Sequence, residues 1–475
     1  MRPLVCTTLA LLLTADFAAA QSIDAYNPLP LVPPTSITAQ ADGKMLIVGN
    51  FTSVGTSTRR GVARLNDDGS VDTTFGDPGA NGEVKAIAVQ PDGKFLIAGD
   101  FTMVGGQQRL SLARLNDDGT LDASFADPGF NSAVWAIAVQ PDGRILAAGD
   151  FTQIGTHTQN YFARIEANGA FDGSFADPQL CCNVARSVAL QADGHVLIGG
   201  FFSQAGGTSH FYLARYATNG TFDPSFPDTT EDIQPGQIIV APDGSIYIGD
   251  LGGDLVRKLS AQGVPDAGFS GAVVDGAPTT LMLQPNGKII VGGTFENAGA
   301  VPRHALARLN ADGSLDASFA DLDFSFDAGN PHDYIYGVAE QADGKIVAIG
   351  NFTLADNQSR QYVARVTTGD YASSVLVVTP TGASVDIKWY RLGDGPELAQ
   401  APLLLHSTDG TNFSVAGPMV RIANGWEASA SYDVHGALFY LQVLGTTSNG
   451  AQNGSPGQVM SEIYTNDTIF GWGFE

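Results

Sequence analysis

Apolar and polar residues alternate along this chain in short runs, and each run stops at a turn. Residues 84–125 show the pattern most clearly. Val84 to Gln90 is an apolar run with small side chains at Ala86 and Ala88, ended by Pro91-Asp92-Gly93. Lys94 to Phe101 is a second run, a looser segment spans Thr102 to Arg109, and Leu110 to Leu115 is a third. After Asn116-Asp-Asp118-Gly119 comes a short fourth run, Leu121 to Phe125. Runs of this length predict β-strands. Asp-Gly favours a hairpin, because both residues tolerate positive φ and the resulting turn matches strand twist. Each unit therefore has two tight hairpins on one side of the fold. Its second-to-third and unit-to-unit loops lie on the other side.

The unit recurs. The phrase Gln-x-Asp-Gly, varied at Ala241 and Asn286, places glycines at 43, 93, 143, 194, 244, 287 and 344. Their spacings are 50, 50, 51, 50, 43 and 57 residues. A period near fifty, filled with short strands, predicts a β-propeller with one sheet per repeat. The expectation is an all-β fold, a seven-bladed β-propeller over residues 22–368. Small residues alternate along the first strand, as suits the crowded axis. Glycines end the second strand at 49, 99, 149, 200, 293 and 350, with Gly249 one place early.

Third strands carry Arg64, Arg114, Arg164, Arg215, Lys258, Arg308 and Arg365. Fourth strands carry only six matching aspartates: Asp72, Asp122, Asp172, Asp223, Asp266 and Asp316. The seventh is read at the other end of the chain, where Ser22-Ile-Asp24-Ala-Tyr26 resembles Ser314-Leu-Asp316-Ala-Ser-Phe319. The N-terminal segment is thus expected to supply the outer strand of the last blade and remove an open edge. Its aromatic stands one place early, Tyr26 against Phe319.

The run from Ala113 to Gly129 and the phrase from Val139 to Phe151 together resemble the delta-60 repeat of secreted bacterial proteins. The resemblance covers residues 22–368 in seven copies. The remainder, with Trp389-Tyr-Arg391-Leu-Gly393, Pro396-Glu397 and Gly425-Trp426, resembles the tail domain of such proteins. Its runs Val385 to Tyr390, Leu403 to His406 and Leu438 to Leu444, with turns at Asp409-Gly410 and Asn424-Gly425, predict a small Ig/fibronectin-III-like β-sandwich over 372–462. A short aromatic tail, 463–475, follows. Ser407 to Phe413 echoes a sialidase Asp-box one residue short, and a hairpin explains it equally. The resemblance implies a secreted bacterial protein and brings no catalytic residues with it. The chain departs from the repeat where the fifth unit's second-to-third loop shrinks to Gly252-Gly-Asp254, and at an insertion from Ala320 to Asp333.

Residues 1–20 read as a cleaved secretory signal: Arg2, the apolar stretch Leu4 to Leu13, and Ala18-Ala-Ala20 before Gln21. No later stretch is apolar and long enough to span a bilayer as a helix. The expected location is extracellular or periplasmic. A net charge of −25 argues against nucleic acid or anionic membrane as partners. Cys181 and Cys182 are adjacent, so an oxidising compartment permits a vicinal disulfide. It stiffens a loop or forms a ligand platform as in quinoprotein dehydrogenases, unless both thiols stay free. The tryptophan-rich docking repeats of those enzymes are missing here, and no cofactor is expected.

Residues repeated in every unit belong to the fold, so a site is sought at positions that differ. Five residues before each phrase stand Thr35, Lys85, Trp135, Arg186, Gly236, Thr279 and Tyr336, expected to ring the channel mouth on the face without Asp-Gly hairpins. Lys85, Trp135, Arg186 and Tyr336 are the candidate ligand-binding residues. Aromatic faces stack on sugars, while Lys and Arg pair with carboxylates. The same face should carry His157, His210, His304 and His332 with Asp254, Asp327 and Asp333, but none has metal-ligand spacing. Asn50, Asp100, Asp150 and Asn351 read as Asx turns. The Asn-x-Asp-Gly runs lack the alternating ligands and closing glutamate of an EF-hand. The favoured function is an exported, non-enzymatic interaction module for a polysaccharide or surface partner. An extracellular polysaccharide hydrolase or lyase and a purely structural surface protein remain as alternatives.

Overall fold

The computed structural model describes residues 21–475 except 41, 229–232, 272–273, 326–333, 342, 369–372, 382–383, 393–400, 408–412, 423–424, 431–439, 448–449, 452–456, 461–463 and 466–475. The expected signal segment 1–20, His332, Asp327, Asp333, the Asp409-Gly410 turn and most of the 463–475 tail lie outside the described residues. The described structure is all-β, without a helix.

Seven sheets follow one another with the same three-strand order. Their innermost strands are Pro34–Ala39, Glu83–Val89, Val134–Val139, Ala185–Leu190, Pro235–Val240, Pro278–Leu283 and Tyr334–Glu340. Each innermost strand lies against those of the sheets before and after it, and the first lies against the seventh, so the sheets close a ring. Each junction between neighbouring sheets encloses its own apolar cluster. Between sheets two and three, for example, Ala86, Ala88, Leu96 and Ala98 pack on Phe130, Ile137, Ile145 and Phe151. Between sheets seven and one, Ala339, Val347 and Ile349 pack on Ile37, Ile47 and Phe51. Stability is therefore distributed around the ring as nearest-neighbour interfaces rather than gathered in one centre.

The Asp-Gly turns take the expected form. Gly93 and Gly119 have φ of 81° and 83°, and Gln90 N–H donates to Lys94 O across the first turn at 2.8 Å. The fourth run is a correction. Leu121 makes one bridge to Leu115, and the same single contact recurs at Val71, Phe171, Phe222, Pro265 and Leu315. The aspartate is the reason. Asp122 Oδ1 accepts Ser124 N–H at 2.9 Å and its hydroxyl at 2.6 Å, a local turn that draws the backbone out of the ladder.

The same aspartate's other oxygen takes the third-strand cation. The Arg Nε to Asp Oδ2 distances are 2.8 Å for Arg64–Asp72, 2.8 Å for Arg114–Asp122, 2.6 Å for Arg164–Asp172 and 2.7 Å for Arg308–Asp316. Lys258 reaches Asp266 at 3.2 Å. Each arginine also lies over its sheet's phenylalanine, as Arg114 does over Phe125 at 4.7 Å. The spacing did not reveal that the guanidinium also crosses to the next sheet: Arg114 Nη1 donates to Ala167 O at 2.8 Å and Arg164 Nη1 to Thr218 O at 2.6 Å. Nor did it reveal a second cation, Lys94, at 2.7 Å from Asp122.

At the seventh sheet, Ser22–Ile23 pairs antiparallel with Val363–Thr367. Asp24 Oδ2 lies 2.7 Å from Arg365 Nε. Arg365 lies 4.7 Å over the ring of Tyr26. A Cβ on Gly69 would meet that ring at 2.9 Å, just as one on Gly119 would meet Phe75 at 3.0 Å. Tyr26 thus fills the phenylalanine's place although it stands one residue early.

Beyond the ring lie two antiparallel sheets. One runs Ser373–Thr381, Ser384–Leu392, Gly425–Ala430, Val420–Ile422; the other Ser414–Pro418, Leu403–Ser407, Tyr440–Thr447, Gly457–Met460, with Tyr464–Thr465 added to Tyr440–Thr447. Trp389, Trp426, Leu404 and Leu441 are buried.

Candidate functional site

Every innermost strand carries one β-bulge near its start. The register slips between Pro34 and Ser36, Val84 and Ala86, Val134 and Ala136, and Ala185 and Ser187. It slips likewise between Pro235 and Gln237, Pro278 and Thr280, and Ile335 and Gly337. The seven skipped residues are Thr35, Lys85, Trp135, Arg186, Gly236, Thr279 and Tyr336. A bulge leaves one residue unpaired, bends the strand and re-aims that side chain. The strand-two glycines sit opposite: a Cβ on Gly99 would fall 2.1 Å from Glu83 O, and one on Gly149 2.2 Å from Ala133 O. In sheet five the register is Pro235↔Asp250 and Gln237↔Gly249, so Asp250 takes the place the glycines hold elsewhere and Gly249 comes one position before it.

The bulged side chains reach their neighbours around the axis. Thr35 Oγ1 donates to Val84 O of the next sheet at 2.8 Å, and Thr279 Oγ1 to Ile335 O at 2.5 Å. Lys85 Nζ stands 4.0 Å from the centre of the Trp135 ring, and the Arg186 guanidinium 4.4 Å from the same ring. Three consecutive sheets thus place two cations on one indole. Trp135 is held by its Nε1–H, which donates to Asp150 Oδ2 at 2.8 Å. Lys85 is ion-paired with Glu83. Arg186 also lies 5.4 Å from the Phe201 ring. Its Nε is buried without a hydrogen-bond partner, and it is the one arginine among the described residues with no hydrogen bond or ion pair at all.

Tyr336 stands apart on the seventh sheet, separated from Lys85 by Thr35. Its ring packs edge-on to Tyr334 at 5.1 Å, and burial, with Tyr334 beside it, pushes its hydroxyl pKa up. Trp135 thus carries cations at 4.0 and 4.4 Å from its ring centre.

Three participants escaped the sequence reading: Glu83, Asp150 and Phe201. Asp150 and Phe201 both follow a strand-two glycine, and each contacts the bulged residue of its own sheet. Asp150, expected to close an Asx turn, orients the indole instead. The signal was present as a second variable series, Asn50, Asp100, Asp150, Phe201, Leu251, Thr294 and Asn351, in step with the first.

The histidines disperse. His157 stacks on Phe171 at 4.8 Å, His210 is buried with Nε2 3.0 Å from Leu213 O, and His304 Nδ1 lies 2.7 Å from Asp321. Among the described residues no three His, Cys, Asp or Glu side chains are grouped to hold a metal. Cys181 and Cys182 are bonded to each other. Cys181 N–H donates to Gln204 O as Asn131 N–H does to Gln153 O. The cysteine therefore takes the place of Asn131, whose Oδ1 accepts the backbone amides of Thr152 and Gln153 in the preceding sheet.

A family model described as "Domain of unknown function (DUF5122) beta-propeller" matches residues 40–75, 90–125, 140–175, 191–226, 284–319 and 341–370. The chain is a repeat-built β-propeller. The family model's segments pass over the fifth sheet, where Lys258 replaces arginine and the hairpin that joins strands two and three in the other six sheets, Met103–Val104 with Gln107–Gln108 in the second, is missing. No curated protein matches the chain. Among solved structures, this propeller is similar to the WD40 β-propeller domain of Doa1, at 13% identity and a TM-score of 0.50, covering 74% of this chain and 97% of that one. A streptogramin B lyase is similar at 14% identity and a TM-score of 0.45, covering 73% and 97%. At such identities the likeness is one of fold.

Proposed function

We propose that this propeller is an exported, non-enzymatic binding module whose ligand is a carboxylate-bearing polysaccharide, taken at the mouth of a seven-bladed ring on the face opposite the Asp-Gly turns. The C-terminal sheets are read as its small Ig/fibronectin-III-like sandwich. The observation that carries this reading is the Lys85–Trp135–Arg186 stack, with an Arg186 guanidinium that pairs with no carboxylate among the described residues. In a chain of net charge −25, a cation kept clear of the surplus carboxylates favours an anion supplied from outside. Lys85 adds a second charge, and Asp150 keeps the indole between them from rotating. Two carboxylates at the mouth, Glu83 and Asp150, are engaged with Lys85 and Trp135. This favours binding over general acid–base work, which calls for a poised free group.

The test is an array of immobilised polygalacturonate, alginate and neutral dextran probed with the mature chain and with Trp135→Ala/Arg186→Ala. Binding to the acidic spots alone, lost in the variant and weakened by salt, is the expected result. Silence on the acidic spots, or equal binding by the variant, would refute the reading. Released oligosaccharide would make the protein an enzyme.

A further inference from the structure

The loop that leads into Arg186 is built differently from its counterparts. In sheet three, Asn131 N–H donates to Gln153 O and Asp150 N–H to Ala133 O, so a single residue, Ser132, lies between the two anchors. Sheet six is alike, with Gly276 between the anchors Asp275 and Ala277. In sheet four the anchors are Cys181 N–H to Gln204 O and Phe201 N–H to Val184 O. Both Cys182 and Asn183 lie between them. The strand that carries Arg186 therefore begins after a loop with one residue to spare.

The means of holding the loop differ too. Asn131 Oδ1 accepts the Thr152 and Gln153 amides at 2.9 and 3.0 Å, and Asp275 Oδ1 accepts those of Glu296 and Asn297 at 2.8 Å. A cysteine sulfur is a poor acceptor for such amides. Sheet four has the covalent bond between Cys181 and Cys182 in its stead. Cys182 is exposed and has a φ of 80°. A side chain other than glycine stays in that region only where its surroundings hold it there. Here the bond ties the surplus residue to the anchored one.

We propose that Cys181–Cys182 is a redox modification site whose state sets the position of Arg186. One thiolate of an external dithiol attacks Cys182, the more exposed of the pair. The sulfur–sulfur bond breaks, Cys181 leaves as a thiolate and takes up a proton, and Cys182 is joined to the reagent. The reagent's second thiolate resolves this mixed disulfide, closes its own disulfide and releases Cys182, which is protonated in turn. The reagent is oxidised, and the chain gains two electrons and two protons. Cys182 is then free to leave the left-handed region, and the extra residue gives the loop slack. Between the loop and the bulge stand the Val184–Phe201 bond, at 2.9 Å, and the pairing of Ala185 with Gly200. The slack passes through them to Arg186. Its guanidinium makes no hydrogen bond or ion pair among the described residues and rests on the Trp135 and Phe201 rings at 4.4 and 5.4 Å. It moves more readily than the ion-paired Lys85 or the hydrogen-bonded Trp135.

The experiment treats the folded, full mature chain with dithiothreitol, counts thiols under native conditions, and follows tryptophan emission and amide exchange. Expected are two thiols per chain, an emission change that is absent in Trp135→Phe, and exchange at Phe201 N–H faster by about tenfold or more. Asp150 N–H, the counterpart in sheet three, should exchange as before. Cys181→Ser/Cys182→Ser should show the reduced values with or without reagent. Cys181→Asn with Cys182 deleted rebuilds the sheet-three loop and should show the oxidised values under both conditions. No thiols from the folded chain, or two thiols with emission and exchange unchanged, would overturn the proposal. Equal acceleration at Phe201 and Asp150 would mean general loosening and would overturn it as well. Neither readout uses a ligand, so failure here leaves the acidic-polysaccharide reading untouched.

Discussion

Replacing Asp24 by alanine probes whether the N-terminal segment is an integral part of the ring. Asp24 Oδ2 lies 2.7 Å from Arg365 Nε, with side chains 22% and 9% exposed, and Asp24 Oδ1 accepts Tyr26 N–H at 2.9 Å. Removing one partner of a fully buried ion pair costs ~3–5 kcal/mol, and of an exposed pair ~0–1 kcal/mol. Arg365 keeps contacts to Asp67 and, at 3.0 Å, to Gln341 Oε1. These and the partial exposure bring the expected loss to about 2–3 kcal/mol. Asp122→Ala is the internal standard. Its carboxylate is 7% exposed and holds Lys94 at 2.7 Å and Arg114 at 2.8 Å, so the upper range, ~3–5 kcal/mol, applies. The assay is equilibrium unfolding in urea at pH 7, supplemented by a double-mutant cycle of Asp24→Ala with Arg365→Met. A coupling of about 1–3 kcal/mol is expected. If Asp24→Ala unfolds at the parent's midpoint while Asp122→Ala falls, the N-terminal segment is an appendage and the closure argument fails.

Two further predictions concern the framework. Burial alone would raise the pKa values of Asp72, Asp122 and Asp316, but hydrogen bonds from their Ser or Thr neighbours and paired cations outweigh it and hold all three well below the usual carboxylate range. Depressed folded-state values mean that their stabilisation is complete above about pH 5 and is lost as pH falls toward those values. Urea midpoints measured from pH 7 to pH 3 should decline, less steeply in Asp122→Asn; an equal slope in both proteins would contradict the assignment. Gly149→Ala places a Cβ 2.2 Å from Ala133 O and 3.0 Å from Val134 Cα, so it should cost about 1–3 kcal/mol and displace Trp135. Loss of acidic-polysaccharide binding together with changed tryptophan emission is expected, and wild-type binding would show that the bulge does not position the site.

The repeat length and paired turns made the propeller legible, because a hairpin is a local decision of two or three residues. Counting five back from each phrase reached the seven bulges for the same reason: identical strands of identical length put the same residue at the same height. What the count lacked was direction around the ring. It grouped Tyr336 with Lys85, Trp135 and Arg186, although neighbours in the circle are neighbours in repeat order, and Thr35 intervenes. It also treated Trp135 as a free aromatic face, because cation–ring contacts join sheets some fifty residues apart. The fourth run looked like a strand by its alternation. The Asp122 side chain claimed the backbone amide that the ladder needed, a competition that apolar patterning does not register. Asp150 was misassigned because an aspartate after glycine suits a turn as well as it suits an indole N–H.

The pairing of Ser22–Ile23 with Val363–Thr367 sets the order in which the molecule is able to assemble. Six sheets are complete from contiguous sequence as soon as they emerge, but the seventh waits for a partner some 340 residues away. Closing so long a loop is entropically costly and slow. Until the last strand arrives, sheets one and seven expose their flanks and the ring stays open. A variant with residues 22–27 moved to follow residue 367 through a five-residue turn, like the one that joins Leu115 to Leu121, would make every sheet local. It should then refold faster to a native state of similar stability, so the natural arrangement trades speed of assembly for a ring whose two ends hold each other shut.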